Sequence, residues 1–344
     1  MRLLLCTQVV DKGDSNLGFF HRWIEEFAKH CEEVVVICLR EGVHELPHNV
    51  RVLSLGKEYD TWRLTRVYRF LRYIWEYREH YDAVLVHMNP EYVVLGGRLW
   101  KRWHKPIGLW YAHKSVTRKL RYAMRFLNRV FTVSQDSFRI ATPKVCVLGH
   151  GIDTALFKPD IHTESTELRI VTAGRIAASK HLLEMLQTLD VLHERNEQFV
   201  FTVVGEATTA QERTYKEEFE KAIQERPYRD KVHLVGAVKY HKLPALLRTQ
   251  DVALNFGATG NMDKAGLEAL AAGVPLLATN PQFATLLEPH GLYVLGDATR
   301  AADMLQKFLS RPDRPAIVAT LRNKVVEEHS LEKLIPKILM NLAE

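Results

Sequence analysis

Short apolar runs alternate with longer segments of helical periodicity along the chain. This alternation predicts a parallel sheet with crossover helices. In the first half, strands are predicted at 3–9, 33–39, 50–53, 83–87, 107–112, 129–133 and 144–148, and helices at 16–30, 62–80, 92–103 and 116–128. The second half repeats the scheme, with strands at 168–173, 199–204, 232–235, 252–256 and 275–278 and helices such as 181–196. Each half reads as a Rossmann-like α/β unit. Between them, Gly149, His150, Gly151, Ile152 and Asp153, followed by Phe157, Lys158, Pro159 and a polar stretch to Glu167, suit a linker of small, kinked and charged residues.

The chain's 344 residues, 47% of them hydrophobic, exceed what one core usually serves, so two domains are expected. The opening MRLLLCTQVV is too short for a membrane span and has no small-residue cleavage site behind it, so it reads as a buried first strand. Cys6, Cys31, Cys38 and Cys146 lie far apart without paired metal spacing. Reduced thiols in a cytoplasmic protein are the expectation.

Function is most legible at 251–280, DVALNFGATGNMDKAGLEALAAGVPLLATN, where a buried strand, a Gly-rich turn and an alanine-rich helix follow without a gap. Such a turn offers unpaired amides and the positive end of a helix dipole, a receptor for phosphate. Upstream, the strand ending in Ala173 and Gly174 is followed by two cations, Arg175 and Lys180. Two strand ends and two cations could clamp a diphosphate, which points to a nucleotide-activated substrate.

Four motifs stand in order: Gly174-Arg175-x4-Lys180, Val203-Val204-Gly205-Glu206, Val235-Gly236-Ala237-Val238, and Leu267-Glu268-Ala269-Leu270-Ala271-Ala272-Gly273-Val274-Pro275. Together they resemble the retaining GT-B glycosyltransferases of family 4, the glycosyl transferases group 1. The G-I-D-x-x-x-F-x-P string beginning at Gly151 also resembles the interdomain segment of these enzymes. The resemblance implies the GT-B fold, two Rossmann-like domains facing each other across a cleft. It divides the chain into an acceptor-binding domain at 1–158 and a nucleotide-sugar donor-binding domain at 159–330, with a last helix at 331–344 docking back on the first. Arg175 and Lys180 would bind the donor diphosphate. Gly174, Gly205, Glu206, Gly236, Val238 and the turn of Met262, Asp263, Lys264 and Ala265 would line the donor site, and Glu268 would bind the nucleotide ribose.

The chain departs from the family's E-x7-E pair: Gly260 stands where the first Glu belongs. In the same turn Asp263 could supply a replacement carboxylate and Lys264 an extra cation for phosphate, although Asp263 also reads as a helix-start charge. Glu268 lies in an apolar run, where an unpaired buried carboxylate is costly. On the acceptor side, Gly13, Asp14, Asn16 and Gly18 lie in the loop after the first strand, at the edge expected to face the cleft. The alternative is a plain strand-to-helix loop capped by Ser15 or Asn16. His113 follows a strand where the family often carries a His contacting the transferred sugar, and is grouped with Arg175 and Lys180 as catalytic. His87 and His150 are further candidates, each weighed against a structural role.

Charge is uneven. Residues 1–150 hold 24 Lys and Arg against 15 Asp and Glu, and residues 151–344 hold 23 against 26. Cations such as Lys101, Arg118 and Arg125 interleave with Trp100, Trp103 and Trp110, and Arg63, Arg66, Arg69 and Arg72 with Tyr68, Phe70, Tyr73 and Trp75. This suits an anionic membrane surface, with a solvated face over core aromatics as the alternative. No nucleic-acid motif is present, so nucleic acid is not an expected partner.

The resulting expectation is a retaining glycosyltransferase that moves a hexose from a UDP or GDP sugar to a hydroxyl of a glycan or glycolipid acceptor, in bacterial envelope polysaccharide or glycolipid synthesis. No resident cofactor or metal is expected, and the protein would be cytoplasmic, peripheral on the inner face of the membrane. The rival readings are a nucleotide-sugar epimerase of the related two-domain fold and an inactive protein that binds nucleotide sugars or polyanions.

Overall fold

A computed structural model describes residues 1–14, 17–160, 165–257 and 262–343. The chain divides into two compact units, Met1–Asp153 with Glu328–Glu344, and Thr154–Glu327. The first unit runs β1 (Leu3–Val10), α1 (Gly18–His30), β2 (Val34–Glu41), β3 (Val50–Ser54), α2 (Arg63–Glu76), β4 (Ala83–His87), α3 (Pro90–Arg102), β5 (Ile107–Trp110), α4 (Arg118–Ala123), β6 (Arg129–Thr132) and β7 (Val145–Val147). The second contains β8 (Leu168–Ala173), α5 (Leu182–Glu194), β9 (Phe199–Val204), α6 (Ala210–Gln224), β10 (Val232–Gly236), α7 (Leu243–Leu247), β11 (Val252–Asn255), α8 (Lys264–Ala271), β12 (Leu276–Ala278), α9 (Ala284–Leu287) and α10 (Ala298–Leu309). Then α11 (Arg314–His329) leads out of that unit, and α12 (Leu331–Ala343) completes the first.

The first sheet has the order β3-β2-β1-β4-β5-β6-β7 and the second β10-β9-β8-β11-β12, with every pairing parallel. Strand alternation gives the first sheet two buried faces. Leu3 and Leu5 pack with Phe20, Trp23 and Phe27 of α1 and with α12, while Leu4 and Cys6 pack with Phe70 and Ile74 of α2 and Trp100 of α3. Helix α12 contains Pro336, whose missing amide and ring cost about 3 kcal/mol inside a helix. Its buried Leu331, Leu334, Ile335, Ile338, Leu339 and Leu342 outweigh that at roughly 1.5–3 kcal/mol each.

Two predicted helices end early. The 116–128 segment is helical over Arg118–Ala123, because the chain must turn to bury Leu127 and to bring the Asn128 side-chain Oδ1 to the Ile107 amide, 3.1 Å away. The 62–80 segment stops at Glu76, where Tyr81 turns into the core and its hydroxyl donates to the Ile74 carbonyl at 2.8 Å. Cys6, Cys31 and Cys38 are buried and Cys146 half-buried, all as free thiols. Among the described residues, no helix is long and apolar enough to cross a membrane.

Candidate functional site

In the second sheet the crossovers reverse direction between β8 and β11. Such a reversal opens a crevice at the carboxyl ends of the strands. There β8, β9 and β10 each run into glycine. Gly174 and Gly205 have φ of +138° and +136°, a region side chains avoid, and a Cβ on Gly205 would lie 1.8 Å from the Gly174 carbonyl oxygen. The turns are laced together: Gly174 N–H donates to Val204 O at 2.9 Å, Gly205 N–H to Gly236 O at 2.8 Å, and Ile176 N–H to Glu206 O at 3.1 Å.

Lys180 lies across this floor. A Cβ on Gly174 would be 2.9 Å from both its Cε and its Nζ. Its ammonium forms an ion pair with Asp263 Oδ2, the residue that caps α8. The same oxygen accepts from Asn255 Nδ2 at 2.9 Å, and Oδ1 accepts from the Ala265 amide at 3.2 Å. Burial works to raise the Asp263 pKa, but the charge and hydrogen bond of Lys180, with the Asn255 and Ala265 bonds, outweigh it and hold the carboxyl below its ordinary range. The Ala265 amide, expected to meet phosphate, is therefore engaged by Asp263. Met262 is half-buried, and Gly260 lies outside the described residues.

Arg175 is also paired. Its Nη1 donates to Glu212 Oε1 at 2.6 Å, while Glu212 Oε2 accepts from the Thr208 amide, the Thr208 hydroxyl and the Thr209 amide at 2.8, 2.6 and 3.0 Å. Thr209 and Glu212 form a capping box on α6. The Thr208 hydroxyl above all, then the two amides and the Arg175 charge, pull the Glu212 carboxyl down to about 2 against its burial. Both expected cations thus meet carboxylates of the same unit, because the strand ends that gather the cations also gather the helix starts that carry acids.

One turn into α8, Glu268 is 5% exposed and 3.6 Å from the Lys264 ammonium, which sits 5.0 Å from the centre of the Tyr240 ring. Burial, reinforced by the nearby Asp263 charge and opposed by Lys264 and a Tyr240 hydrogen bond, pushes its pKa up to about 7. Glu268 Oε1 and Asn255 Oδ1 are buried acceptors with no hydrogen-bond partner among the described residues. Glu268 Oε1 still faces the Lys264 ammonium, and both acceptors are open to a donor from water or a ligand. Glu206 is exposed, with Oε1 3.3 Å from where a Cβ on Gly236 would stand, and Val238 is half-buried in the loop after β10.

In the first unit the expected site residues are dispersed. Gly13 N–H donates to Asp11 Oδ1 at 2.8 Å, Asp14 accepts from the Leu17 amide at 2.8 Å and pairs with Arg40, and Gly18 is buried as the first residue of α1. Asn16 and Ser15 lie outside the described residues. His87 does not line an open surface. It is 4% exposed, stacks on Phe20 at 4.1 Å and lies 3.3 Å from Thr7 Oγ1, because a strand end facing α1 is closed by aromatic rings. His113 is exposed after β5, its Nδ1 accepting from the Ser115 amide at 3.0 Å. His150 is half-buried, its amide donating to His329 Nδ1 at 3.2 Å.

Asn255, Tyr240 and Glu212 escaped the sequence reading. The Thr209-x-x-Glu212 spacing was a capping-box signal, and Asn255 was a polar residue ending an apolar strand; nothing near Tyr240 pointed to Glu268. Among the described residues, no group of three or more His, Cys, Asp or Glu is placed to hold a metal ion.

Residues 154–320 match the family described as glycosyl transferases group 1. No curated protein matches the chain. Among solved structures, Anabaena Alr3699/HepE in complex with UDP and glucose superposes with a TM-score of 0.75 over all of both chains at 17% identity. Sucrose-phosphate synthase (tll1590) from Thermosynechococcus elongatus gives 0.72 over 98% of each chain at 15% identity. A UDP-forming trehalose-phosphate synthase from Burkholderia xenovorans gives 0.69 at 16% identity, over 100% of this chain and 99% of its own. With two parallel-sheet units of the GT-B fold and a group 1 domain across the second, the protein is a glycosyltransferase.

Proposed function

We propose that the protein transfers a hexose from a nucleoside diphosphate sugar, with retention at the anomeric carbon, to a hydroxyl of a glycan or glycolipid, with the second unit as donor-binding domain and the first as acceptor-binding domain. The observation that carries this reading is Lys180, held across the Gly174 turn and paired with a carboxylate at the head of α8. A diphosphate arriving there takes over the ammonium from Asp263. Arg175, 57% exposed at its side chain, can turn from Glu212, whose other oxygen stays held by the Thr208 hydroxyl and the Thr208 and Thr209 amides. Glu268 Oε1, which faces Lys264 but makes no hydrogen bond among the described residues, accepts from a ribose hydroxyl. UDP is favoured over GDP by the UDP and UDP-glucose held in the Anabaena structures.

In the reaction the bond from the anomeric carbon to the β-phosphate oxygen breaks, and the acceptor oxygen bonds to the same face. The acceptor proton passes to the departing phosphate. Lys180 and Arg175 stabilise the charge that develops on the diphosphate, which is catalysis by fixed electrostatics. The setting proposed is envelope polysaccharide or glycolipid synthesis on the cytoplasmic face of a bacterial membrane.

A thermal-shift panel of UDP, GDP, ADP, TDP and CMP with their sugar conjugates tests the reading. One diphosphate should stabilise wild type selectively and Arg175→Ala much less. No shift with any nucleotide would refute it. Incubating the sugar nucleotide alone should give slow hydrolysis, whereas an isomerised sugar nucleotide would indicate an epimerase.

A further inference from the structure

The first unit has its own switch point, between β1 and β4, where Gln8 Nε2 donates to Asn89 Oδ1 at 2.9 Å. Both residues line a cavity of about 430 Å³, within the range of small-molecule sites. Its walls are apolar: Leu39, Leu55, Val67, Phe70, Tyr92 and Leu95. Arg63, Arg66 and Lys119 line it too, with one acid, Glu91, near enough to feel the Arg63 charge. Lys119 is paired with Glu91 at 2.9 Å, but neither the Arg63 nor the Arg66 guanidinium has a hydrogen bond or ion pair among the described residues. The first turn of α2 holds these two arginines and no acid, so the helix dipole adds to their positive field.

The same helix carries an unburied apolar stripe. Leu64, Tyr68, Leu71 and Trp75 recur at helical spacing and are 80, 64, 36 and 54% exposed. Arg72 and Arg78 flank it, Arg78 lying 5.0 Å from the centre of the Trp75 ring. A helix with its inner side in the core and an aromatic, basic outer side fits the headgroup region of a bilayer. A bilayer lipid is therefore the occupant that matches the adjacent cavity in both polarity and charge.

We infer that this cavity binds an anionic lipid drawn from the membrane, its alkyl chain between α2 and α3 and its phosphate on Arg63 and Arg66, and that this lipid is the acceptor or its lipid carrier. The acceptor role rests on the proposed transferase reading; the binding does not. The site favours a phosphate-bearing amphiphile over a free sugar, because most of its wall offers no hydrogen-bond partner.

Calorimetric titration with octyl, decyl and dodecyl phosphate tests the inference. Affinity should rise with chain length, by up to about fourfold per buried methylene. Inorganic phosphate should bind at least tenfold more weakly than decyl phosphate. Leu95→Trp should weaken binding of the long chain by filling the cavity. The double variant Arg63→Ala, Arg66→Ala, at residues outside the core, should fold normally and lose preference for decyl phosphate over decanol. Vesicles containing phosphatidic acid should co-sediment wild type, and this variant less. Affinity independent of chain length, inorganic phosphate binding as well as decyl phosphate, or wild-type affinity in both variants would overturn the site. Because binding is read directly, a protein that ignores every nucleotide but takes up decyl phosphate would refute the transferase reading, and the acceptor role with it, and leave the lipid site standing.

Discussion

The two units share one architecture but reach it with different chemistry at their switch points. In Thr154–Glu327 the ends of β8, β9 and β10 are glycines, and the side chains above them are charged: Lys180 on Asp263, Arg175 on Glu212, Lys264 near Glu268. In Met1–Asp153 the corresponding region is aromatic and aliphatic, with His87 stacked on Phe20 and an apolar cavity beside Gln8 and Asn89. The lesson is that a parallel sheet supplies a crevice, and its local side chains decide what the crevice can hold. Exchangeable ion pairs suit a diphosphate; an apolar wall lined by Arg63 and Arg66 suits an amphiphile.

Substitution at Lys180 probes this contrast hardest. Lys180→Ala should lower turnover by about 10²–10³, the usual cost of removing a charge-stabilising donor, and abolish the nucleotide thermal shift. It should also destabilise the unliganded protein, because Asp263 is left without its cation. Adding Asp263→Asn should restore the melting temperature without restoring nucleotide binding. If the double variant binds nucleotide normally, the charged crevice is structural and the contrast between the units fails.

Glu268 gives a pH signature confined to the second unit. Its folded pKa, about 7, lies above the ordinary carboxylate value, so the folded state binds the extra proton. Stability is then highest below about pH 4.5 and falls as pH rises through 7, by about 3 kcal/mol at 1.36 kcal/mol per pKa unit. Denaturant titrations of wild type and Glu268→Gln should diverge across that window, with the variant the more stable at pH 8. Parallel curves would mean that Glu268 is ionised in the folded protein without penalty.

In the first unit the effect should be on stability alone. His87→Ala removes a buried ring from the aromatic stack and should cost about 2–4 kcal/mol in urea denaturation. The nucleotide shift should persist wherever the variant is folded. A lost shift with an unchanged melting temperature would instead make His87 a ligand contact. The smallest expected effect is at Thr209→Ala, which removes the α6 cap and should cost about 1 kcal/mol. A larger loss of nucleotide affinity than of stability there would show that the capping box also positions Arg175.

Alternation of apolar runs with amphipathic segments was enough to place β1, β4, β8 and β9 within a residue, since buried parallel strands must be apolar and short. The glycine turns were legible too, because glycine straight after a buried strand marks backbone that side chains would strain. Helix ends were less so: α4 stops where Leu127 and Asn128 find partners far away in the chain. The histidines were the least legible. Nothing local distinguishes His87, inside a ring stack, from His113, exposed after β5.

What the sequence by itself determined is therefore the α/β pattern, the two-unit order and the residue types at the second crevice, all properties of neighbours in the chain. Tertiary structure decided which charge meets which. Lys180 and Asp263 are 83 residues apart and Arg175 and Glu212 are 37 apart, and each pair forms because strand order places those ends side by side. The raised pKa of Glu268 and the cavity beside Arg63 and Arg66 arise in the same way. Burial and electrostatic partnership depend on distance in space, and sequence periodicity carries that information only as far as one element reaches.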